Sequence, residues 1–173
     1  MKVMMIFDQT QAGLGGKESP DLPMGGKPMA IGACGMFDRF LDENDGQVVA
    51  TLYCGDGTYH ADTETTTKKF AAMAKKFQPD VVICGPCFNY ASYAIMAAHT
   101  AKVIKDLTGI PAFAIMAEEC TKAIEDYKQQ VTILKMPKKG GIGLNEALSA
   151  MCVYAKMLYE KQDTKAFEQE YAY

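Results

Sequence analysis

Two cysteines three positions apart, Cys84 and Cys87, enclose Gly85-Pro86 directly after an apolar run. A dithiol at a strand-to-helix turn can be redox active, because the N–H groups of a helix amino terminus stabilise a thiolate and lower the pKa of the first cysteine. The same four residues occur in thioredoxin-type active sites. Here no Trp precedes them and the pattern that follows is parallel α/β, so the alternative stays open that both pack a tight turn as small apolar groups. A metal is the third reading, since Cys54, Cys84, Cys87 and Cys120 all end apolar runs. With one strand between their own two strands, Cys54 and the pair would stand about 10 Å apart, too far for shared Zn–S bonds of about 2.3 Å. Cys120 stays within reach of the pair. His60, read as a loop residue, and His99, read as a helix-surface residue, are too isolated for ligand spacing, and no metal is assigned. Glu118 and Glu119 are the acid candidates, with exposed carboxylates ahead of a helix as the alternative.

A second candidate is Gly13-Leu-Gly15-Gly16-Lys17-Glu18, a glycine-rich turn whose backbone N–H groups could approach an anion. The pattern is neither G-x-G-x-x-G nor the P-loop, because Gln11 stands five before Gly16 and Glu18 follows Lys17. No Thr/Ser-rich flavin phosphate loop is present, which argues against a nucleotide or flavin.

The elements that must position these residues are five apolar runs: Lys2 to Phe7, Gln47 to Tyr53, Asp80 to Ile83, Pro111 to Met116 and Val131 to Leu134. Their lack of polar alternation is the mark of parallel strands covered on both faces. Helical patterns separate them. From Thr63 to Phe77, Phe70, Met73, Ala74 and Phe77 form one stripe opposite Lys68, Lys69, Lys75 and Lys76. Tyr90 to Leu107 repeats the pattern and ends at Gly109-Ile110-Pro111. Leu144 to Tyr159 is the last long helix, Thr121 to Lys128 a short one, and Pro28 to Leu41 a weak one interrupted by Gly32 and Gly35. Right-handed crossovers then give a single doubly wound α/β domain, flavodoxin-like or Rossmann-like, with a five-stranded parallel sheet in the order 2-1-3-4-5. Its ligand crevice lies between the first and third strands, where the loop Asp8 to Gly16, with its continuation to Gly26, meets the segment Cys84 to Asn89. The domain is expected over residues 1–162. Residues 163–173 form a carboxyl-terminal tail, either frayed or docked on a partner, and Gly13 to Gly35 is a long ordered loop of the kind that is more often functional than idle.

At 173 residues the chain is sized for one domain. A formal net charge of -3, with Lys and Arg scattered, argues against nucleic acid or an acidic membrane as partner. The opening apolar run turns polar at Asp8, too early for an export signal, and no run approaches the roughly 18 residues a membrane span requires. Six cysteines without an export signal read as thiols in a reducing cytoplasm.

Taken together the loops are more specific than any one of them. Gln11 to Glu18, Val49 to Asp56, Asp80 to Asn89, and Gly109-Ile-Pro111 with Met116 and Glu119 resemble the selenoprotein B (gamma) subunit of the glycine, sarcosine and betaine reductases. Cys54, Gly55, Asp56, Gly85, Pro86, Phe88, Asn89, Tyr93 and Glu119 match residue by residue. Cys84 and Cys87 depart from it, standing where that family has Ala. The resemblance extends over nearly all of this chain and over only the amino-terminal part of the family's subunit. It implies a subunit, not active alone, of a complex for reductive C–N cleavage of a small amine. In that chemistry a pyruvoyl group on a partner subunit holds the substrate and selenolate chemistry cleaves it, leaving a carboxymethyl selenoether on a small selenoprotein. The family's selenocysteine belongs to a later region, so the implied partners are a pyruvoyl-containing subunit and a selenocysteine-bearing second half or small selenoprotein. No cofactor is expected on this chain itself. Gly15, Gly16, Asp56, Asn89 and Tyr93 are the expected substrate-binding residues. Cys54, or the Cys84 and Cys87 pair, offers thiol chemistry, and Glu119 orients substrate or carries a proton. An independent thiol redox protein and a non-catalytic assembly domain are the competing readings.

Overall fold

A computed structural model describes all residues, 1–173. One sheet holds six strands: β1 (Lys2–Phe7), β2 (Gly25–Lys27), β3 (Gln47–Tyr53), β4 (Val81–Cys87), β5 (Ala112–Ala117) and β6 (Ile133–Met136), in the order β2-β3-β1-β4-β5-β6. Five of them are parallel; β2 runs antiparallel along the outer edge of β3. The expectation of five strands is therefore corrected to six. β2 is only Gly25-Gly26-Lys27, with no apolar alternation to announce it, and its glycines are what let it pair. A Cβ on Gly25 would meet the Tyr53 ring at 2.6 Å, and one on Gly26 would meet Leu52 Cδ2 at 2.5 Å.

Alternate residues of the central strands enter two separate cores, which is why these strands lack a polar face. Met4, Ile6, Val82, Cys84, Ala114 and Met116 face one way, against α3 (Thr63–Phe77), α4 (Ala91–Thr108) and α5 (Thr121–Tyr127). Val3, Met5, Val81, Ile83, Phe113 and Ile115 face the other, against α1 (Asp38–Asp42) and α6 (Leu144–Tyr159). In α3 the Asp62 carboxylate caps the Thr65 N–H at 3.1 Å, Phe70 and Ala74 are buried, and all four lysines of the opposite stripe are exposed. Gly109, at φ 73°, ends α4 by donating its N–H to Lys105 O, which turns the chain straight into β5.

Three segments differ from their sequence reading. The glycines of the weak helix split it into a 3₁₀ turn, Gly32–Met36, and the short α1. A helix α2 (Asp56–Ala61) follows β3, so His60 is helical and not in a loop. Residues 165–171 form α7 (Lys165–Tyr171), and the end of the chain docks on its own fold: Tyr173 N–H donates to Ile133 O, Ala172 bridges Leu134, and Phe167 stacks on Tyr154. That arrangement covers the open edge of β6. No helix is long and apolar enough to cross a membrane.

Candidate functional site

A cavity of about 310 Å³ opens where β1 and β4, neighbours in the sheet, send their chains in opposite directions. Open α/β sheets bind ligands at such a point, because the loops leaving the carboxyl ends diverge there. The loop after β1 supplies Asp8, Thr10, Gln11 and Lys17. The turn after β4 and the first part of α4 supply Phe88, Asn89, Tyr90 and Tyr93. Met36 and Lys139 complete the wall from the 3₁₀ turn and from the glycine-rich loop after β6. A more open hollow of about 500 Å³, with Lys105, Lys128 and Lys165 in its wall, lies at the opposite end of the sheet beside the start of β6.

Asp8 forms the floor of the crevice and is almost fully buried, at 1 % exposure. Burial pushes its carboxyl up to about 6, against the pull of the Gln11 N–H that it accepts at 2.6 Å, and the nearby Asp56 carboxylate adds to the rise. Asp56 itself stands behind the floor at the amino end of α2. Gln9 donates its side-chain amide to Asp56 Oδ1 at 2.9 Å and accepts the Asp56 N–H at 3.1 Å, so two buried polar groups satisfy each other and fasten α2 to the loop after β1. Tyr93 donates its hydroxyl to Ile6 O at 2.9 Å, tying α4 to the end of β1. Lys17 Nζ lies 4.5 Å from the centroid of the Tyr90 ring across the mouth, close enough for a cation–π contact.

Of the residues singled out from sequence, Asn89 and Tyr93 line this crevice, and Asp56 sits one layer behind it. Gly15 and Gly16 belong to the loop after β1 but not to the wall; the Gly16 N–H is occupied by the Glu18 carboxylate at 2.9 Å, while Lys17 beside it reaches the cavity. Glu119 is exposed in the turn after β5 and does not line the crevice. The thiols are placed differently from the reading that put a helix amino terminus beside them. Cys84 and Cys87 lie within β4, and α4 begins only at Ala91. Both side chains are fully buried, and burial raises both thiols well above their ordinary range. Cys54 and Cys120, also buried, are raised to about 11 by desolvation first, with Asp56 and Glu119 respectively adding to it. Gly85, between the two cysteines of β4, has φ 125° and passes so close to β5 that a Cβ would meet Ile115 O at 2.5 Å. No group of three or more His, Cys, Asp or Glu side chains is gathered as a metal site. His99 is half-buried rather than on the open helix surface, with Nδ1 2.6 Å from Tyr59 Oη.

The sequence reading brought the loop Asp8 to Gly16 to the crevice without singling out Asp8, Thr10 or Gln11, and it missed Tyr90 and Lys139. The signal for Asp8 was available: it is the first polar residue after a wholly apolar first strand, at the carboxyl end where ligands gather. Lys139 carried none, because its approach depends on how the Gly140-Gly141-Ile142-Gly143 loop returns to α6.

Comparison with known proteins fits the resemblance carried by these loops. The gamma subunit of glycine reductase complex component B from Peptoclostridium litorale is 31 % identical over 155 residues, 90 % of this chain and 35 % of that protein. The beta subunit of sarcosine reductase complex component B from Peptoclostridium acidaminophilum is 28 % identical over 161 residues, 93 % of this chain and 36 % of its own length. A glycine reductase gamma subunit from Carboxydothermus hydrogenoformans is 28 % identical over 98 % of the chain and 38 % of the relative. The chain thus spans a little over a third of the length of these curated relatives. No solved structure matches it significantly. The family model described as glycine/sarcosine/betaine reductase selenoprotein B covers residues 1–173, and the chain belongs to that family.

Proposed function

We propose that this chain acts as part of component B of a glycine, sarcosine or betaine reductase-like complex and contributes to the reductive cleavage of a C–N bond in a small amine. The family match over residues 1–173 carries the reading, and relatives named as subunits of all three reductases support it. The flavodoxin-like reading of the domain belongs with it: a crevice at the switch point of a doubly wound sheet, with diverging loops around a small cavity, suits a small-molecule substrate better than a macromolecular one.

In this reading the electron-rich nucleophile and the carbonyl that holds the amine both come from other chains, a selenocysteine-bearing chain and a pyruvoyl-containing subunit. This chain contributes the walls of the crevice. Asn89 and Thr10 offer hydrogen bonds, Tyr93 braces the floor, and Asp8 exchanges a proton near neutral pH. Its own thiols, buried and protonated, are not the attacking group in this conformation.

The test is reconstitution. The chain is co-expressed with a pyruvoyl-type subunit and a selenocysteine-bearing chain of the same family, captured by an affinity tag, and assayed for release of ammonia, methylamine or trimethylamine from glycine, sarcosine or betaine. Co-purification with amine release that depends on this chain is expected. A monomer that captures neither companion and leaves amine release unchanged would overturn the reading.

A further inference from the structure

We propose that the crevice is a binding site for a small carboxylate, whose anionic head is received by Lys17 and Lys139 and whose amino or hydroxyl group donates to Asp8. Within the component B reading, on which it rests for its biological role, this names where on the chain the acid end of the substrate is held.

Charge carries the first step. Four ion pairs stand on the surface of the molecule, and neither Lys17 nor Lys139 takes part in any of them. Both lysines are exposed at the mouth of the same cavity, on loops leaving different strands, so two cations converge on one space with no protein carboxylate within ion-pair distance. Asp8 is the only acid in the wall, and it is sunk in the floor, where its one close hydrogen bond is from the Gln11 N–H. An anion at the mouth would therefore meet positive charge, while the floor offers an acceptor to a donor group on the same ligand.

Size and valence carry the second step. A cavity of about 310 Å³ sits at the lower end of the range for ligand pockets, which suits a molecule of a few heavy atoms and not a nucleotide. A phosphate group would want more donors than this wall holds. No arginine lines it, the Gly16 N–H is already taken by Glu18, and the Asp8 carboxylate would repel a dianion. A monoanion with a donor a few bonds away fits both ends. Thr10 and Asn89 stand in the wall between them as hydrogen-bonding groups.

The test is calorimetric titration of the 173-residue chain with acetate, glycine, inorganic phosphate and ethylammonium as separate ligands. Glycine is expected to bind more tightly than acetate, and both more tightly than phosphate or ethylammonium. Lys139→Met, on an exposed loop, should keep the native circular dichroism and weaken glycine and acetate alike by about tenfold, the loss expected for one charge-assisted contact. Asp8→Asn should abolish the preference for glycine over acetate by weakening glycine and not acetate. Ethylammonium binding as tightly as glycine, phosphate binding most tightly, or Lys139→Met binding unchanged would each overturn the proposal. The chain is measured alone, so failure to bind carboxylates with partners still captured ends this proposal only. Carboxylate binding without any partner leaves the site standing and ends the component B reading.

Discussion

The floor of the crevice and the thiols of β4 are neighbours across the sheet, both buried toward the carboxyl ends of adjacent strands, and burial acts on them with opposite consequences. Desolvation disfavours the charged form of either group. A carboxyl starts low, so the rise brings Asp8 to about 6, into the range where it exchanges protons at working pH. A thiol starts high, so the same rise carries Cys84 and Cys87 out of that range and favours their protonated form. Comparable burial thus moves the acid toward working pH and the thiols away from it. Perturbed acids in clefts mark functional sites for this reason, and a conspicuous dithiol motif need not.

The largest effect that would break this contrast is thiol reactivity. Raising a thiol from about 9 to 11 or beyond lowers the thiolate fraction by about 100-fold, and steric exclusion adds to it. With an aromatic disulfide reagent, all six buried thiols of the folded chain are expected to react more slowly than those of the urea-unfolded chain, Cys54 and Cys120 by at least about 100-fold. One or two fast thiols in the native state would show that β4 opens in solution and would return Cys84 and Cys87 to the chemistry.

Next comes Asp8→Asn, which should stabilise the fold. An acid whose folded pKa exceeds its unfolded one binds more protons when folded, so stability is greatest below the ordinary value of 3.8 and is lost as pH rises through about 6. That gap corresponds to about 3 kcal/mol above pH 6, and asparagine, which keeps an oxygen for the Gln11 N–H, removes the cost. Urea unfolding at about pH 7.5 should show the variant more stable by about 2 to 3 kcal/mol, with the advantage gone near pH 4. A variant less stable than the parent at both pH values would mean that the carboxyl is not the strained group.

Asp56→Ala sharpens the comparison from behind the floor. It leaves the buried Gln9 side-chain N–H without its acceptor, while the backbone N–H of residue 56 still donates to Gln9 Oε1, and should destabilise the chain by about 1 to 3 kcal/mol. With one negative charge removed, the Asp8 carboxyl should also titrate lower, read by carbon-13 chemical shift of its carboxyl across a pH series. An unmoved Asp8 titration would leave desolvation as the whole cause of its shift.

Much of the scaffold was legible because two-sided burial writes itself plainly: β1 and β3 run over the residues their apolar runs marked, and α3 and α6 begin and end where their stripes do. β2 was not, since three residues held by close glycine contacts leave no hydrophobic period, and α2 was hidden by Gly57 and by a start at a buried aspartate. At the site, the family-matched Asn89 and Tyr93 came from local sequence, whereas Lys139 reaches the crevice through a loop 50 residues further on. The placement of the thiols beside a helix amino terminus is corrected for a different reason. Cys84-Gly85-Pro86-Cys87 looks like a turn in sequence, but Gly85 lets the backbone pass against Ile115 O, so the strand continues to Cys87 and the helix dipole never reaches either sulfur.

The smallest expected effect is also the one that isolates the thiols most cleanly. Cys84 packs among Met4, Val82 and Ala114 in the core shared with α4, with no hydrogen-bonded partner for its sulfur and no wall of the crevice on its side chain. Cys84→Ala removes one buried atom and should cost about 1 kcal/mol in a urea melt, the scale of a small cavity in a packed core. Cys84→Ser keeps the volume but buries a hydroxyl among apolar neighbours, so it should cost more than alanine does, by about 1 kcal/mol or above. That order, serine worse than alanine, belongs to a packing thiol. A redox or nucleophilic thiol would lose amine release in both variants in the reconstituted complex, whatever their stabilities, whereas a packing thiol leaves it intact in the alanine variant.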